Sequence, residues 1–225
     1  LYNMNIINDI DLDKFKQIKE NRIPTLIKNG LKYFPKLQKW NKNYIIEKYG
    51  NEICNYSYHA RPVRSNLYCN YIDFFNKYNN TYSFSRKTFD ITKIDTFIQD
   101  LTFPNPLFSK KNINKHIFFT GPEYSGALPH SHGPALNLMV YGRKRWIFFD
   151  ANDTIGKKLE QYYYKKYPKD VLWIDWFKLE YKKLKKQIDI IECIQEPNDI
   201  VFVPNEYNHT VFNMKDTMGI VIELY

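Results

Sequence analysis

The chain is poor in the residues that would assign it to a special structural class. It has three cysteines in 225 residues, Cys54, Cys69 and Cys193, with no C-x-x-C motif and no zinc-finger spacing. A chain of this length buries close to ~70% of the surface that its unfolded form exposes, so it needs no staples. Glycine is scarce, at eight residues, and neither a repeat nor a linker is visible. Collagen-like, coiled-coil and disordered chains are excluded by ordinary globular proportions, 44% hydrophobic and 25% charged. Uninterrupted apolar runs are only a few residues long (Ile147–Phe149, Ile200–Pro204), which excludes a transmembrane helix. Arginine is scarce too: six against 27 lysines. The net charge of +9 therefore reads as a solvated lysine-rich surface, since a nucleic-acid face would want Arg and aromatics along one groove. No nucleic-acid partner is expected.

Cys193 lies in an alternating apolar stretch and reads as a buried thiol, whereas Cys54 and Cys69 could pair in an oxidising lumen and would stay reduced in cytosol. The first residue is Leu1 rather than Met, so the expectation is that something precedes it, a removed signal segment being one option. Four Asn-x-Ser/Thr sequons occur, at Asn55, Asn79, Asn152 and Asn208, against about two expected by chance, a weak pointer to secretion.

Residues 11–20 read as a short amphipathic helix behind an Asp-rich start, with Leu12, Phe15 and Ile18 on one face. Residues 23–28 read as a strand opened by Pro24, and residues 42–49 as a second helix stopped by Gly50. Residues 52–90 read as irregular, with loop or edge segments, and 91–101 as a helix with Ile94, Phe97 and Leu101 on one face. From His116 the period changes to two. Short strands are expected at 116–120, 127–132, 135–141, 143–149, 189–194, 199–203, 208–214 and 217–224, punctuated by Gly, Pro and Asn turns. A lysine- and aromatic-rich helical insertion fills 152–187. The expected fold class is mainly β: a double-sheet jelly roll with a helical N-terminal flank and a helical insertion. We read 1–225 as one domain, with 1–115 as the flank and 116–225 as the core.

Of five histidines, three form a suggestive set. His130 and His132 sit two apart in the alternating stretch 127–132, where i and i+2 share a face, and His209 follows a buried Val-Phe-Val-Pro strand. Two readings stand: satisfied cleft histidines, or a site for one ion among Zn, Fe, Cu and Ni. Lys144 is ambiguous in another way. By alternation Lys144, Trp146 and Phe148 share one face and Arg143, Arg145 and Ile147 the other. Either Lys144 faces inward and awaits an anionic small molecule, or Arg143 and Arg145 face inward, or Lys144 pairs with a distant acid such as Glu223.

Four segments together resemble one family. They are IPTLIKNGLKYFPKLQKWNKNYIIEKYGNEI, GPEYSGALPHSHGPALNLMVYGRKRWIFF, CIQEPNDIVFVPNEYNHTVFNM and DTMGIVIEL. The pattern is similar to the JmjC-domain, cupin-like 2-oxoglutarate oxygenases of the small, hydroxylase-type branch, over about residues 11–225. The resemblance implies a double-stranded β-helix with Fe(II), or another divalent metal such as Zn, as cofactor and 2-oxoglutarate as co-substrate. It implies His130, His132 and His209 at the metal, Lys144 on the far carboxylate of the co-substrate and Asn137 beside it, with no catalytic residue beyond the metal site. It favours the inward face for Lys144. It also implies hydroxylation of a protein or peptide side chain, and its nearest pattern, in a member of the endoplasmic reticulum lumen, implies that compartment.

Three departures bear on activity. His132 stands where active members carry Asp or Glu, and Ala127 and Val221 stand where related enzymes place polar groups on the co-substrate. Asn198 replaces a turn glycine, a mild change because Asn tolerates φ > 0. A catalytically silent JmjC-fold binding or scaffold protein, holding Zn or no metal, is the alternative these departures imply.

Overall fold

The computed structural model describes residues 2–57, 67–78, 81–85, 113–149, 162, 165–166 and 173–225. The expected helix at 91–101, His59, and the sequons at Asn79 and Asn152 lie outside these. In chain order the N-terminal part holds β1 (Tyr2–Asn3), β2 (Asn5–Ile7), α1 (Leu12–Glu20), β3 (Thr25–Ile27), α2 (Lys42–Tyr49), β4 (Ile53–Ser57), β5 (Leu67–Asn70), α3 (Tyr71–Lys77) and β6 (Tyr82–Ser85). The remainder holds β7 (Ile113–Gly121), β8 (Gly126–His130), β9 (Ala135–Tyr141), β10 (Lys144–Phe149), α4 (Trp173–Trp176), a π-helical turn (Phe177–Tyr181), α5 (Lys182–Leu184), β11 (Ile190–Gln195), β12 (Ile200–Val203), β13 (His209–Asn213) and β14 (Thr217–Leu224).

Strands β7 to β14 divide evenly between two sheets. One carries the order β11-β10-β13-β8 and the other β12-β9-β14-β7, so the chain switches sheets at most turns. This is the jelly roll expected from the period-two stretches, and each expected strand is present with its ends moved by a few residues. The N-terminal strands extend both sheets. β1 pairs with β11, β2 and β3 continue beyond β12, and β6, β4 and β5 continue beyond β7, giving five and nine strands.

Burial explains why several strands lack clean alternation. On β9, Leu136, Leu138 and Val140 face an outer core formed with Phe15, Leu31, Trp40, Ile45 and Tyr71 of the helical flank. Ala135 and Met139 on the same strand face the space between the sheets with Phe119 and Val221. A strand covered on both faces reads as a continuous apolar run. The five-stranded sheet is covered likewise: Ile147, Phe149 and Ile190 pack on Trp176 and Leu184.

Two local expectations are corrected. The segment 52–90 contains regular structure: β4, β5 and β6 form an antiparallel extension, and α3 lies among them. Its start is fixed by Asn70, whose side chain accepts from the Asp73 amide at 2.7 Å, and Tyr71, Phe74 and Phe75 are its buried face. Gly50 ends α2 as expected, but in right-handed helical conformation, so no left-handed cap is involved. A Cβ there would lie 2.2 Å from the Ile46 carbonyl oxygen and 2.7 Å from Ile72 Cγ1, which only glycine avoids. Asn198 does adopt the left-handed conformation, with φ 71°. Two of the four sequons, Asn55 and Asn208, are buried in the folded chain.

Candidate metal and co-substrate site

His130 ends β8 and His209 begins β13, and the two are paired across the antiparallel ladder. Their ring centroids are 4.3 Å apart. β8 stops at His130, so His132 does not reach the site by strand alternation. It lies on the exit segment before Gly133, where its carbonyl accepts from the Glu206 amide at 2.8 Å, and its ring stands 4.7 Å from that of His209. The ligand atoms of all three histidines lie within 4.8 Å of one another.

Backbone carbonyls orient each ring. His130 Nδ1 bonds Leu128 O at 2.7 Å, His132 Nδ1 bonds Gly133 O at 2.6 Å and His209 Nδ1 bonds Tyr207 O at 2.9 Å. A carbonyl only accepts, so each Nδ1 carries a proton, which leaves Nε2 as the atom each neutral ring would offer to a metal. His209 is 1% exposed. Burial first, then the neighbouring His130 and His132 imidazoles, hold its pKa well below the ordinary value, so it is neutral and able to ligate. Three imidazole nitrogens suit a divalent first-row metal.

Lys144 opens β10 in register with Gln195 and Asn213, and it is 1% exposed. Its Nζ stands 3.6 Å from the centroid of Phe119, on the facing sheet, so the inward face of β10 is that of Lys144, Trp146 and Phe148. Arg145 points to the opposite side, where its Nε donates to Glu192 Oε2 at 3.0 Å, and Arg143 pairs with Glu196. Among the described residues no carboxylate is paired with Lys144, and burial alone brings its pKa down to about 7. Asn137 is also inward, beside Val221 in the register of β9 and β14, and its Oδ1 is buried without a hydrogen-bond donor among the described residues.

Sequence reasoning passed over the residues that frame this end. Trp146 Nε1 donates to Gln195 Oε1 at 2.8 Å, and Gln195 Nε2 donates to the carbonyls of Asn137 at 2.8 Å and Asp199 at 3.0 Å. One side chain thus ties the two sheets together beside Lys144 and Asn137. No sequence signal marked Gln195, a polar residue on a strand that also carries Glu192. Phe119 carried no signal, because its contact with Lys144 depends on how the sheets face.

The residues fit a metal with an anionic co-substrate. Three oriented Nε2 atoms converge, and a buried ammonium and a buried amide oxygen, neither with a polar partner among the described residues, share the space between the sheets. Lys144 lies four residues along β10 from Phe148, which is opposite His209, or about 13 Å of strand. That separation suits a short dicarboxylate held between the lysine side chain and an ion.

Comparison with known proteins agrees. The family model for the JmjC domain, hydroxylase, matches residues 129–223, which include all three histidines and Lys144. The bifunctional arginine demethylase and lysyl-hydroxylase psr-1 of Caenorhabditis briggsae is 26% identical over 94% of this chain and 58% of its own length. The 2-oxoglutarate and iron-dependent oxygenase JMJD4 of Mus musculus is 25% identical over 79% of this chain and 47% of its own. JmjC domain-containing protein 8 of Homo sapiens is 23% identical over 43% of this chain and 33% of its own. The chain spans about half the length of the first two relatives. With a jelly-roll core, a convergent histidine trio and these matches, the chain is similar to JmjC-domain 2-oxoglutarate oxygenases, and its residues 129–223 match the JmjC domain itself.

Proposed function

We propose that the chain is an Fe(II)- and 2-oxoglutarate-dependent oxygenase that hydroxylates a protein or peptide side chain. The observation that carries this reading is a convergent histidine trio and a buried lysine, with no carboxylate paired to it among the described residues, on inward faces of the same two-sheet core. Iron, when bound with the co-substrate, would supply the oxidising chemistry that side chains lack. The chain's own residues bind and orient. His130, His132 and His209 would present Nε2 atoms whose directions the carbonyls of Leu128, Gly133 and Tyr207 fix. Lys144 would take the far carboxylate as a charge-assisted hydrogen bond, and Asn137 Oδ1 would accept from a donor beside it. Phe119, Met139 and Val221 line the same space with apolar surface and exclude water, which strengthens that ion pair. The substrate class is proposed from psr-1, whose name describes demethylation of arginine and hydroxylation of lysine.

The test is direct. Iron-loaded protein should bind 2-oxoglutarate and release succinate, with or without a peptide. Protein that holds iron yet neither binds the co-substrate nor makes succinate would sink the proposal. His132, Ala127 and Val221 favour a second reading, a JmjC fold that holds Zn tightly and turns nothing over, serving as a binding module. A three-histidine set carries no negative charge and matches the ligands of a zinc site. Robust hydroxylation of any peptide would end that reading.

A further inference from the structure

Cys54 and Cys69 lie outside the cleft and take no part in the proposed chemistry. They are direct partners across the β4–β5 ladder, both thiols are free, and their Sγ atoms stand 4.0 Å apart. Opposed residues of an antiparallel pair have Cα atoms ~4.5–5.5 Å apart, within the ~4.4–6.8 Å range that disulfides span. Rotation about the side chains, without backbone movement, is therefore enough to bring the sulfurs to bonding distance. The two thiols differ in access. Cys54 is fully buried in the core cluster that includes Tyr56, Tyr71 and Phe74, whereas Cys69 is partly exposed. Among the described strands β5 pairs with β4 alone, so it is the edge of the nine-stranded sheet, held on one side only.

We propose that Cys54 and Cys69 form a disulfide that clamps this edge hairpin, made by exchange with a small disulfide oxidant or an oxidised dithiol protein. The partly exposed Cys69, as thiolate, attacks one sulfur of the oxidant, forming a mixed disulfide and releasing the other sulfur as a thiol. Cys54 then attacks the Cys69 sulfur and expels the second thiol. Two electrons pass to the oxidant, and the two thiol protons leave with its two sulfurs. Burial raises both thiol pKa values, so the exchange is slow at neutral pH and faster as pH rises. A bond formed this way is a structural brace suited to an oxidising compartment rather than a rapid sensor.

Incubation of the reduced full chain with oxidised glutathione, followed by alkylation and mass analysis, tests this. The expected product carries no glutathione, joins the peptides containing Cys54 and Cys69 with the loss of two hydrogens, and leaves Cys193 as the one thiol that alkylation of the unfolded chain can cap. The melting temperature should rise by ~5–10 °C for a loop of this length and fall back on reduction. Cys69→Ser, at the partly exposed position, should abolish the rise while the reduced protein melts as before. A stable glutathione adduct on Cys69, or full alkylation of both thiols after oxidation, would overturn the bond. The bond without any change in melting would overturn the clamp.

Discussion

The two ends of the cleft are built on opposite principles. At the histidine end every ring has its Nδ1 tied to a main-chain carbonyl of its own neighbourhood, within three residues, and the buried member is held neutral. That end is preorganised by local chain geometry. At the lysine end a group that prefers to be charged has an aromatic face and no paired carboxylate among the described residues. That end is complete only when an anion arrives. One end is oriented before its ligand binds and the other destabilises the fold until its ligand binds, so substitutions should separate them: loss of a histidine should remove metal without any gain in stability, and loss of the lysine should remove the anion and raise stability.

The largest effect is expected from His209→Ala, which removes the buried ligand paired with His130. Affinity for Co(II), followed by its visible absorption, should fall more than ~100-fold. Retained Co(II) affinity in a folded variant would mean that the trio is a satisfied polar cluster. Next in size is Lys144→Met, which keeps the stem length and discards the ammonium. Affinity for 2-oxoglutarate should drop by ~30-fold or more, while the urea midpoint of the unliganded protein rises at pH 6. A structural lysine would give the reverse, a lower midpoint.

The same lysine sets a pH dependence of defined sign. Its pKa is about 7 folded against 10.5 in the reference state. Between these values the unfolded chain binds more protons, so the Lys144 contribution raises stability as pH climbs from about 7 to 10.5. Below pH 7 the full penalty, a few kcal/mol at order of magnitude (~1.4 kcal/mol per pH unit), is present in the fold. The difference in unfolding free energy between Lys144→Met and wild type should therefore shrink across that window. Affinity for the dianion should move oppositely and weaken above pH ~7, because binding then requires uptake of a proton. A difference that stays flat from pH 6 to 10 would place the ammonium in water or beside an acid.

How much of this was legible follows from what alternation encodes. Period two located β7 to β14 because each residue reports its own burial. It could not assign the inward face of β10, since Lys144 and Arg145 are both cations. The choice is made by Glu192, 47 residues away, which holds Arg145 on the outer side. The histidine trio was legible as a set but for a partly wrong reason: β8 ends at His130, and His132 arrives through the exit turn that Glu206 pins. The β4–β6 extension was hidden because its aromatic residues alternate poorly around α3, and sheet pairing between distant segments leaves no local trace. Gln195 was equally hidden, since its value lies in three partners brought together by the fold.

The smallest expected effect tests whether the lysine end alone suffices for the anion. Val221 is inward beside Asn137, among Phe119 and Met139, at a position where the family resemblance implies a polar group. Val221→Thr keeps the shape and adds one hydroxyl. Buried in apolar surroundings, that hydroxyl should lower stability of the unliganded protein by ~1 kcal/mol or more, since it lacks a partner there. With 2-oxoglutarate bound it gains one, and affinity should rise by ~3- to 10-fold. Opposite signs with and without ligand would assign Val221 to the co-substrate wall and make its apolar side chain a reason for weak binding. A loss of stability with unchanged affinity would move the co-substrate away from β14 and leave Lys144 and the metal as its only anchors.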